Sequence, residues 1–160
     1  TPYAFSKYIS EVYCMKSGIS NLKCVRFSTL FYGDPAKDGL SKIIHDAVTK
    51  REVTIYNGGE AIRDFIPLSI AVAYVDKIVR LTNNEKAIFN VVSGRETSFG
   101  KIVQYLQKII PNLKVNDVSS ETPVCPVLSR FSDGSIKRLG EIEFNLNDEI
   151  ESYIKKISAV

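Results

Sequence analysis

Tyr3 and Lys7 form a Tyr-x-x-x-Lys pair near the start of the chain. Residues four positions apart in a helix lie about 40° apart around its axis, so the two side chains would share one face. A phenol ionises near pH 10, and an ammonium about 4 Å away favours the phenolate by roughly 4 kcal/mol at an effective dielectric of about 20. A phenolate can accept a proton, so the pair could act as a general base. Roughly 0.7 such pairs are expected by chance in a chain with 8 tyrosines, and the surrounding pattern must decide.

The helix that must position this pair is predicted over residues 2–17, and Gly18 is expected to end it. Four apolar residues at helical spacing form a stripe along one side: Phe5, Ile9, Val12 and Tyr13. Tyr3 and Lys7 lie roughly opposite this stripe. We therefore expect them on an open face of the helix.

Composition excludes several classes of function. The 160 residues are 44% hydrophobic and 24% charged, with a formal net charge of +3, which is typical of one globular domain or one and a half. Basic residues form no run longer than two, and no apolar stretch approaches the roughly 20 residues that cross a bilayer. Nucleic acid and membranes are therefore not expected as partners.

The cysteines and the single histidine predict neither a metal site nor a catalytic triad. Cys14, Cys24 and Cys125 have no Cys-x-x-Cys spacing, so we expect reduced thiols in a cytoplasmic protein. His45 lies within an apparent amphipathic helix, where a packing or surface role is expected.

Strand and helix patterns alternate along the rest of the chain. Predicted strands cover residues 22–29, 53–56, 61–66, 87–92 and 113–118, and predicted helices cover 39–50, 69–81, 98–110, 135–139 and 147–157. Asn57-Gly-Gly-Glu60 predicts a hairpin or a pair of nearby strands, and Ser69 and Ser98 are predicted helix N-caps. The alternation predicts an α/β fold with a mostly parallel sheet.

Five segments follow one another in a recognisable order. They are Pro2-Tyr-Ala-Phe-Ser-Lys7, Val25-Arg-Phe-Ser-Thr-Leu-Phe-Tyr-Gly33, the stretch 54–66 with Arg63-Asp-Phe65, Asn90-Val-Val-Ser-Gly94 followed by Ser98, and the stretch 133–140 ending in Lys137-Arg-Leu-Gly140. Together they resemble the second half of the extended short-chain dehydrogenase/reductase superfamily, specifically its NAD-dependent nucleotide-sugar epimerases and dehydratases. The resemblance covers nearly all of the chain.

The resemblance implies the carboxy-terminal part of a Rossmann-type parallel sheet plus a small α/β substrate-binding domain. Residues 1–35 and 69–95 would belong to the dinucleotide-binding domain, and residues 36–68 and 96–160 to the substrate-binding domain. The glycine-rich turn that seats the cofactor pyrophosphate in this family is absent from the sequence. We therefore expect a cofactor-binding segment to precede Thr1 in a longer protein, and this chain alone to be inactive.

The resemblance also implies roles for individual residues. Tyr3 would accept a proton from a sugar hydroxyl while NAD takes the hydride, and Lys7 would favour the phenolate and hold the cofactor. Arg63 would clamp the diphosphate of the nucleotide sugar, because a guanidinium offers a rigid fork of donors to phosphate oxygens. Thr29 and Arg130 would contact the substrate. The segment from Arg26 to Gly33 is one residue longer than the family pattern, which leaves the alignment of Thr29 open by one position.

Several alternatives remain open at this point. The reaction could be an epimerisation, a dehydration or a decarboxylation, and an NADP-dependent reductase of the same superfamily would share the Tyr-Lys helix. A non-catalytic nucleotide-sugar or protein binding module is the alternative from another class. A homodimer is expected for the complete protein. Asp64 is expected to brace the local structure rather than to bind substrate.

Overall fold

The structure is a computed structural model that describes residues 1–82, 87–121 and 135–159. The helices are α1 (Pro2–Lys16), α2 (Gly39–Lys50), α3 (Leu68–Val79), α4 (Phe99–Ile109), α5 (Ser135–Leu139) and α6 (Leu146–Ser158). The strands are β1 (Lys23–Phe27), β2 (Thr29–Phe31), β3 (Glu52–Tyr56), β4 (Ile62–Pro67), β5 (Ala87–Val91), β6 (Glu96–Ser98) and β7 (Lys114–Val118). The predicted α/β class is confirmed.

The strands of the described residues form three small sheets. β1 pairs with β5 and β3 pairs with β7, both in parallel. In the third sheet, β4 lies between a parallel neighbour, β2, and an antiparallel neighbour, β6. The prediction of a mostly parallel arrangement is therefore confirmed, with β6 as the antiparallel exception.

The predicted strand at 22–29 is two strands that belong to different sheets. The chain leaves the first sheet at Ser28, whose amide still donates to the Val91 carbonyl oxygen at 3.1 Å. Thr29 then begins β2 and pairs with Phe65 of β4. Apolar and β-branched residues continue from β1 into β2, so the sequence pattern did not indicate that the chain passes from one sheet to another at Ser28.

Of the two alternatives predicted for residues 53–66, the hairpin is wrong, because β3 pairs with β7 whereas β4 pairs with β2 and β6. Asn57, Gly58 and Gly59 form a short 3-10 turn with positive φ angles of 49°, 64° and 68°. Three left-handed residues in succession do not match a two-residue hairpin turn, and the chain enters a different sheet. A Cβ on Gly59 would lie 2.5 Å from the Gly100 amide nitrogen, so this turn packs directly against the start of α4.

The two predicted serine caps have different outcomes. The Ser98 hydroxyl accepts from the Lys101 amide at 3.2 Å, which confirms it as the N-cap of α4. The prediction for Ser69 is wrong, because α3 begins at Leu68, directly after Pro67, and has no side-chain cap. Proline fixes φ near the helical value and is tolerated at such a boundary.

Buried apolar residues form two clusters. The large core lies between α2, α4, α6 and the second and third sheets and consists of Phe31, Leu40, Ile44, Ala47, Val53, Ile55, Phe65, Ile102, Val103, Leu106, Ile110, Leu113, Ile150 and Tyr153. The small core lies between α3 and the first sheet and consists of Ile66, Tyr74, Ile78, Phe89 and Val91.

Helix α1 belongs to neither core. It buries no residue, and its packed side is only half-buried, at Glu11, Val12, Cys14 and Met15. Most of the predicted apolar stripe is exposed, with 65% of Phe5 and 78% of Tyr13 accessible to solvent. An apolar stripe normally faces a core, but no described residue covers this one.

Candidate functional site

An open cavity of about 730 Å³ lies where α1 meets the carboxyl ends of β1 and β5. Parallel α/β folds place their ligands at this edge of the sheet. The cavity is lined by Tyr3, Ala4, Lys7, Tyr8, Glu11, Arg26, Phe27, Ser28, Thr29, Asp64, Asn90 and Val92. Three of the predicted site residues, Tyr3, Lys7 and Thr29, therefore meet at one cavity.

Tyr3 and Lys7 lie in the first two turns of α1. Thr1 caps this helix through its hydroxyl, which accepts from the Ala4 amide at 3.3 Å, and Pro2 occupies the first turn. The Lys7 Nζ atom lies 5.4 Å from the centre of the Tyr3 ring. Tyr3 is 72% exposed, so both side chains are accessible to a molecule that enters the cavity.

An ion pair holds α1 against β1 below these two residues. The Arg26 guanidinium donates two hydrogen bonds to the Glu11 carboxylate, one of them from Nε at 2.8 Å. These hydrogen bonds hold the pKa of Glu11 below its ordinary value. Because a bidentate pair fixes orientation, it sets the position of α1 on the sheet.

Asp64 forms the most buried polar wall of the cavity, with 2% of its surface exposed. Its Oδ1 accepts from the Ser28 hydroxyl at 3.1 Å and from the Ser93 amide at 3.0 Å. Its Oδ2 accepts from the Gly94 amide at 2.7 Å. Asp64 thus ties β4 to the ends of β1 and β5, and the expectation that it braces the local structure is confirmed.

Arg63 does not line this cavity in the part of the chain that the structure describes. It precedes Asp64 on β4 and pairs with Thr97 of β6, and successive strand side chains point to opposite faces. Its guanidinium is half-buried and donates to the Ile62 carbonyl oxygen at 2.7 Å. Arg130, the other predicted substrate contact, lies outside the described residues.

A second open cavity of about 650 Å³ lies between α2, β3 and the start of α4. Its charged residues include Asp46, whose carboxylate forms ion pairs with the Nζ atoms of Lys42 at 2.9 Å and Lys50 at 2.8 Å. Burial raises the pKa of Asp46, but the hydrogen bonds from Lys50 and Lys42 outweigh it and leave the pKa below its ordinary value. This cavity was not predicted from the sequence, although Lys42 and Lys50 lie four residues on either side of Asp46.

Residues 1–82, 87–121 and 135–159 hold no candidate for two further classes of site. No three His, Cys, Asp or Glu side chains of the described residues come together in a way that could hold a metal ion. No helix of these ranges is long and apolar enough to cross a membrane.

Comparison with known proteins gives the fold. No protein-family profile and no curated protein sequence matches this chain significantly. An NAD-dependent NDP-hexosamine 5,6-dehydratase involved in tunicamycin biosynthesis is similar in structure, with a TM-score of 0.84 at 18% identity over 100% of this chain and 55% of that protein.

Two epimerases are also similar in structure. For the ADP-L-glycero-D-manno-heptose-6-epimerase of Helicobacter pylori, the TM-score is 0.81 at 19% identity over 100% of this chain and 52% of the epimerase. For the UDP-glucose 4-epimerase of Thermotoga maritima, solved with UDP-glucose, the TM-score is 0.80 at 19% identity over 99% of this chain and 53% of the epimerase.

The chain thus spans about half the length of the solved proteins that it matches. The resemblance to the extended short-chain dehydrogenase/reductase superfamily is confirmed at the level of the fold. This chain has the Rossmann-like α/β fold found in about half of the length of each of these three solved enzymes.

Proposed function

We propose that this chain is the carboxy-terminal portion of an NAD-dependent nucleotide-sugar epimerase or dehydratase. The observation that carries the proposal is the side-by-side placement of Tyr3 and Lys7 at a cavity at the carboxyl edge of a parallel sheet. The same fold, in proteins about twice as long, serves dehydration and epimerisation of sugar nucleotides.

Tyr3 is proposed to accept the proton of a sugar hydroxyl in this cavity. Lys7, whose ammonium lies 5.4 Å from the centre of the Tyr3 ring, is proposed to assist this proton transfer and to hold the cofactor. The exposed phenol and ammonium also suit the ribose hydroxyls of NAD, which, when bound, supplies the hydride acceptor. Thr29 on the facing wall is proposed to contact the sugar.

Arg63 is proposed to bind the diphosphate of the substrate. Its one hydrogen bond in the described residues, to the Ile62 carbonyl oxygen, uses a single N–H and leaves most of the guanidinium fork for phosphate oxygens. Arg130 is proposed to contact the nucleotide part. The division into residues 1–35 with 69–95 and 36–68 with 96–160, and a homodimer of the complete protein, are parts of the same proposal.

Thermal unfolding with added UDP-glucose tests the proposed ligand. At a hundredfold excess over Kd, binding to the folded state stabilises it by about 2.7 kcal/mol. We expect a stabilisation of this order for the chain, and its loss in Arg63→Ala. Arg80→Ala is the matched control, because Arg80 directly follows α3 as its C-cap residue and pairs with Asp76 four residues earlier.

Two results would count against the proposal. An absence of stabilisation at millimolar UDP-glucose would favour a non-catalytic module. Equal stabilisation of Arg63→Ala and the unsubstituted chain would exclude Arg63 as the diphosphate ligand.

A further inference from the structure

The carboxylate of Asp64 is surrounded by hydrogen-bond donors. A carboxylate can only accept hydrogen bonds, and this one accepts from a hydroxyl and from two backbone amides. The backbone donors follow β5 and cannot rotate away, because Ser93 and Gly94 form the turn into β6. Gly94 has a φ angle of +71°, a conformation that favours glycine.

The hydrogen bond to Asp64 fixes the direction of the Ser28 hydroxyl proton. Since Asp64 Oδ1 can only accept, the single hydroxyl proton of Ser28 must point toward it. The Ser28 amide is also held, by the Val91 carbonyl oxygen at 3.1 Å. Both the backbone and the side chain of Ser28 are therefore fixed at the cavity wall.

The lone pairs of the Ser28 oxygen remain available. Within the described part of the chain this oxygen accepts no hydrogen bond, and Ser28 lines the same cavity as Tyr3 and Lys7. A hydroxyl ordinarily acts as donor or acceptor according to its partner. At Ser28 only the acceptor role is left.

We propose that Asp64 is a positioning residue that fixes the Ser28 hydroxyl as an acceptor, so that this wall of the cavity selects a hydroxyl group of the bound sugar. The inference rests on the proposed function, because it assumes that a sugar enters this cavity. Thr29, next to Ser28, makes no side-chain hydrogen bond in the described residues and keeps both roles. The selectivity is therefore assigned to Ser28.

Binding of UDP-glucose and of UDP to variants of this chain tests the inference by calorimetry. Ser28→Ala removes the acceptor oxygen. Asp64→Asn replaces one carboxylate oxygen with an NH₂ group, which can only donate, although the surrounding Ser28, Ser93 and Gly94 groups are themselves donors. Both variants should bind UDP-glucose about tenfold more weakly and UDP with less than a twofold change. Ser28→Thr keeps the hydroxyl and should retain the affinity for UDP-glucose.

Asp117→Asn is the matched control. Asp117 also accepts from a backbone amide, that of Gly58 at 2.9 Å, but it is exposed and lies outside this cavity. Its substitution should change neither affinity more than twofold. Amide exchange at Ser93 and Gly94, followed by NMR, gives a readout independent of ligand, and it should accelerate at least tenfold in Asp64→Asn only.

The possible failures can be distinguished. If the unsubstituted chain binds UDP-glucose and both variants bind it equally well, the inference is overturned while the proposed function stands. If the unsubstituted chain binds neither compound, both the proposed function and the inferred selection of a sugar hydroxyl are overturned. Unchanged exchange at Ser93 and Gly94 in Asp64→Asn would overturn the positioning role in either case.

Discussion

Helix α4 and helix α1 bury their apolar residues to very different extents. Ile102, Val103 and Leu106 of α4 are at most 3% exposed and pack into the large core. α1 is four residues longer than α4, yet it has no buried residue and leaves Phe5 and Tyr13 exposed to solvent. The large core is packed between three helices and two sheets, whereas the region of α1 and β1 is an open layer.

The sheet beneath α1 shows the same difference. β1 pairs only with β5 in the described residues, and parallel sheets normally contain more strands and are covered on both faces. α3, which packs against this sheet, also leaves Val72 and Val79 exposed at 58% and 76%. Under the proposed function, this open layer is the surface on which the cofactor-binding part of a longer protein packs.

Truncation of a core residue should separate the two regions most strongly. Leu106→Ala removes a fully buried side chain and should lower the free energy of unfolding by about 3–5 kcal/mol through lost burial and a cavity. Phe5→Ala on α1 should change it by less than about 0.5 kcal/mol. Urea unfolding measures both, and a cost for Phe5→Ala near that of Leu106→Ala would show that α1 is packed.

A pair of glycine substitutions sharpens the comparison. Gly59→Ala combines a left-handed φ of +68° with a Cβ only 2.5 Å from the Gly100 nitrogen, and should cost about 2–4 kcal/mol. Gly94→Ala has a similar φ of +71° but open space around its Cβ, so about 1–2 kcal/mol is expected. Equal costs in urea unfolding would mean that strain, rather than packing against α4, decides both.

The ion pair between α1 and β1 should make a smaller, pH-dependent contribution. The hydrogen bonds from Arg26 lower the pKa of Glu11, so their stabilisation is present above the ordinary value of 4.5 and is lost as pH falls through the lower folded value. Arg26 is half exposed, and the pair should contribute only about 0.3–1 kcal/mol.

Glu11→Gln tests this contribution in urea unfolding at pH 7 and pH 3. The variant should be less stable than the unsubstituted chain at pH 7, and the two should converge at the lower pH. A difference that persists undiminished in acid would rule out charge as the cause.

The smallest expected effect is on the titration of a tyrosine at the edge of the large core. Tyr105 of α4 donates to the Glu151 carboxylate of α6, and this hydrogen bond raises the pKa of Tyr105 to about 12. Because the folded pKa is raised, the stabilisation is complete below the ordinary value of 10.0 and is lost as pH rises toward the folded value. Difference absorbance against Tyr105→Phe measures the titration, and Glu151→Gln should shift it to lower pH.

Much of the fold could be predicted because local signals and tertiary structure agree. The period of α4 and the cap at Ser98 specify that helix. The family resemblance predicted that Tyr3, Lys7 and Thr29 serve one site, and the three line one cavity at the carboxyl edge of the first sheet. The partner of β3 could not be predicted, because Asn57-Gly-Gly59 specifies a local turn but not which strand lies alongside. Periodicity likewise identifies the apolar face of α1 without showing what covers it.

The candidate site was predicted in part for a similar reason. Ser28 and Asp64 are 36 residues apart in sequence, and only the meeting of the first and third sheets brings them together. Arg63 was placed by resemblance, yet alternation along β4 turns it away from the carboxylate that lines the cavity.

The role of Tyr3 can be measured in a protein that carries this chain together with a cofactor-binding segment. Turnover of UDP-glucose, UDP-N-acetylglucosamine and dTDP-glucose would be compared between the unsubstituted protein, Tyr3→Phe, and Tyr13→Phe as a control on the same helix. We expect turnover to fall by a factor of about 10²–10⁴ in Tyr3→Phe, the usual contribution of a general base, and to be unaffected in Tyr13→Phe. Equal turnover by Tyr3→Phe and the unsubstituted protein would contradict the proposed role of Tyr3.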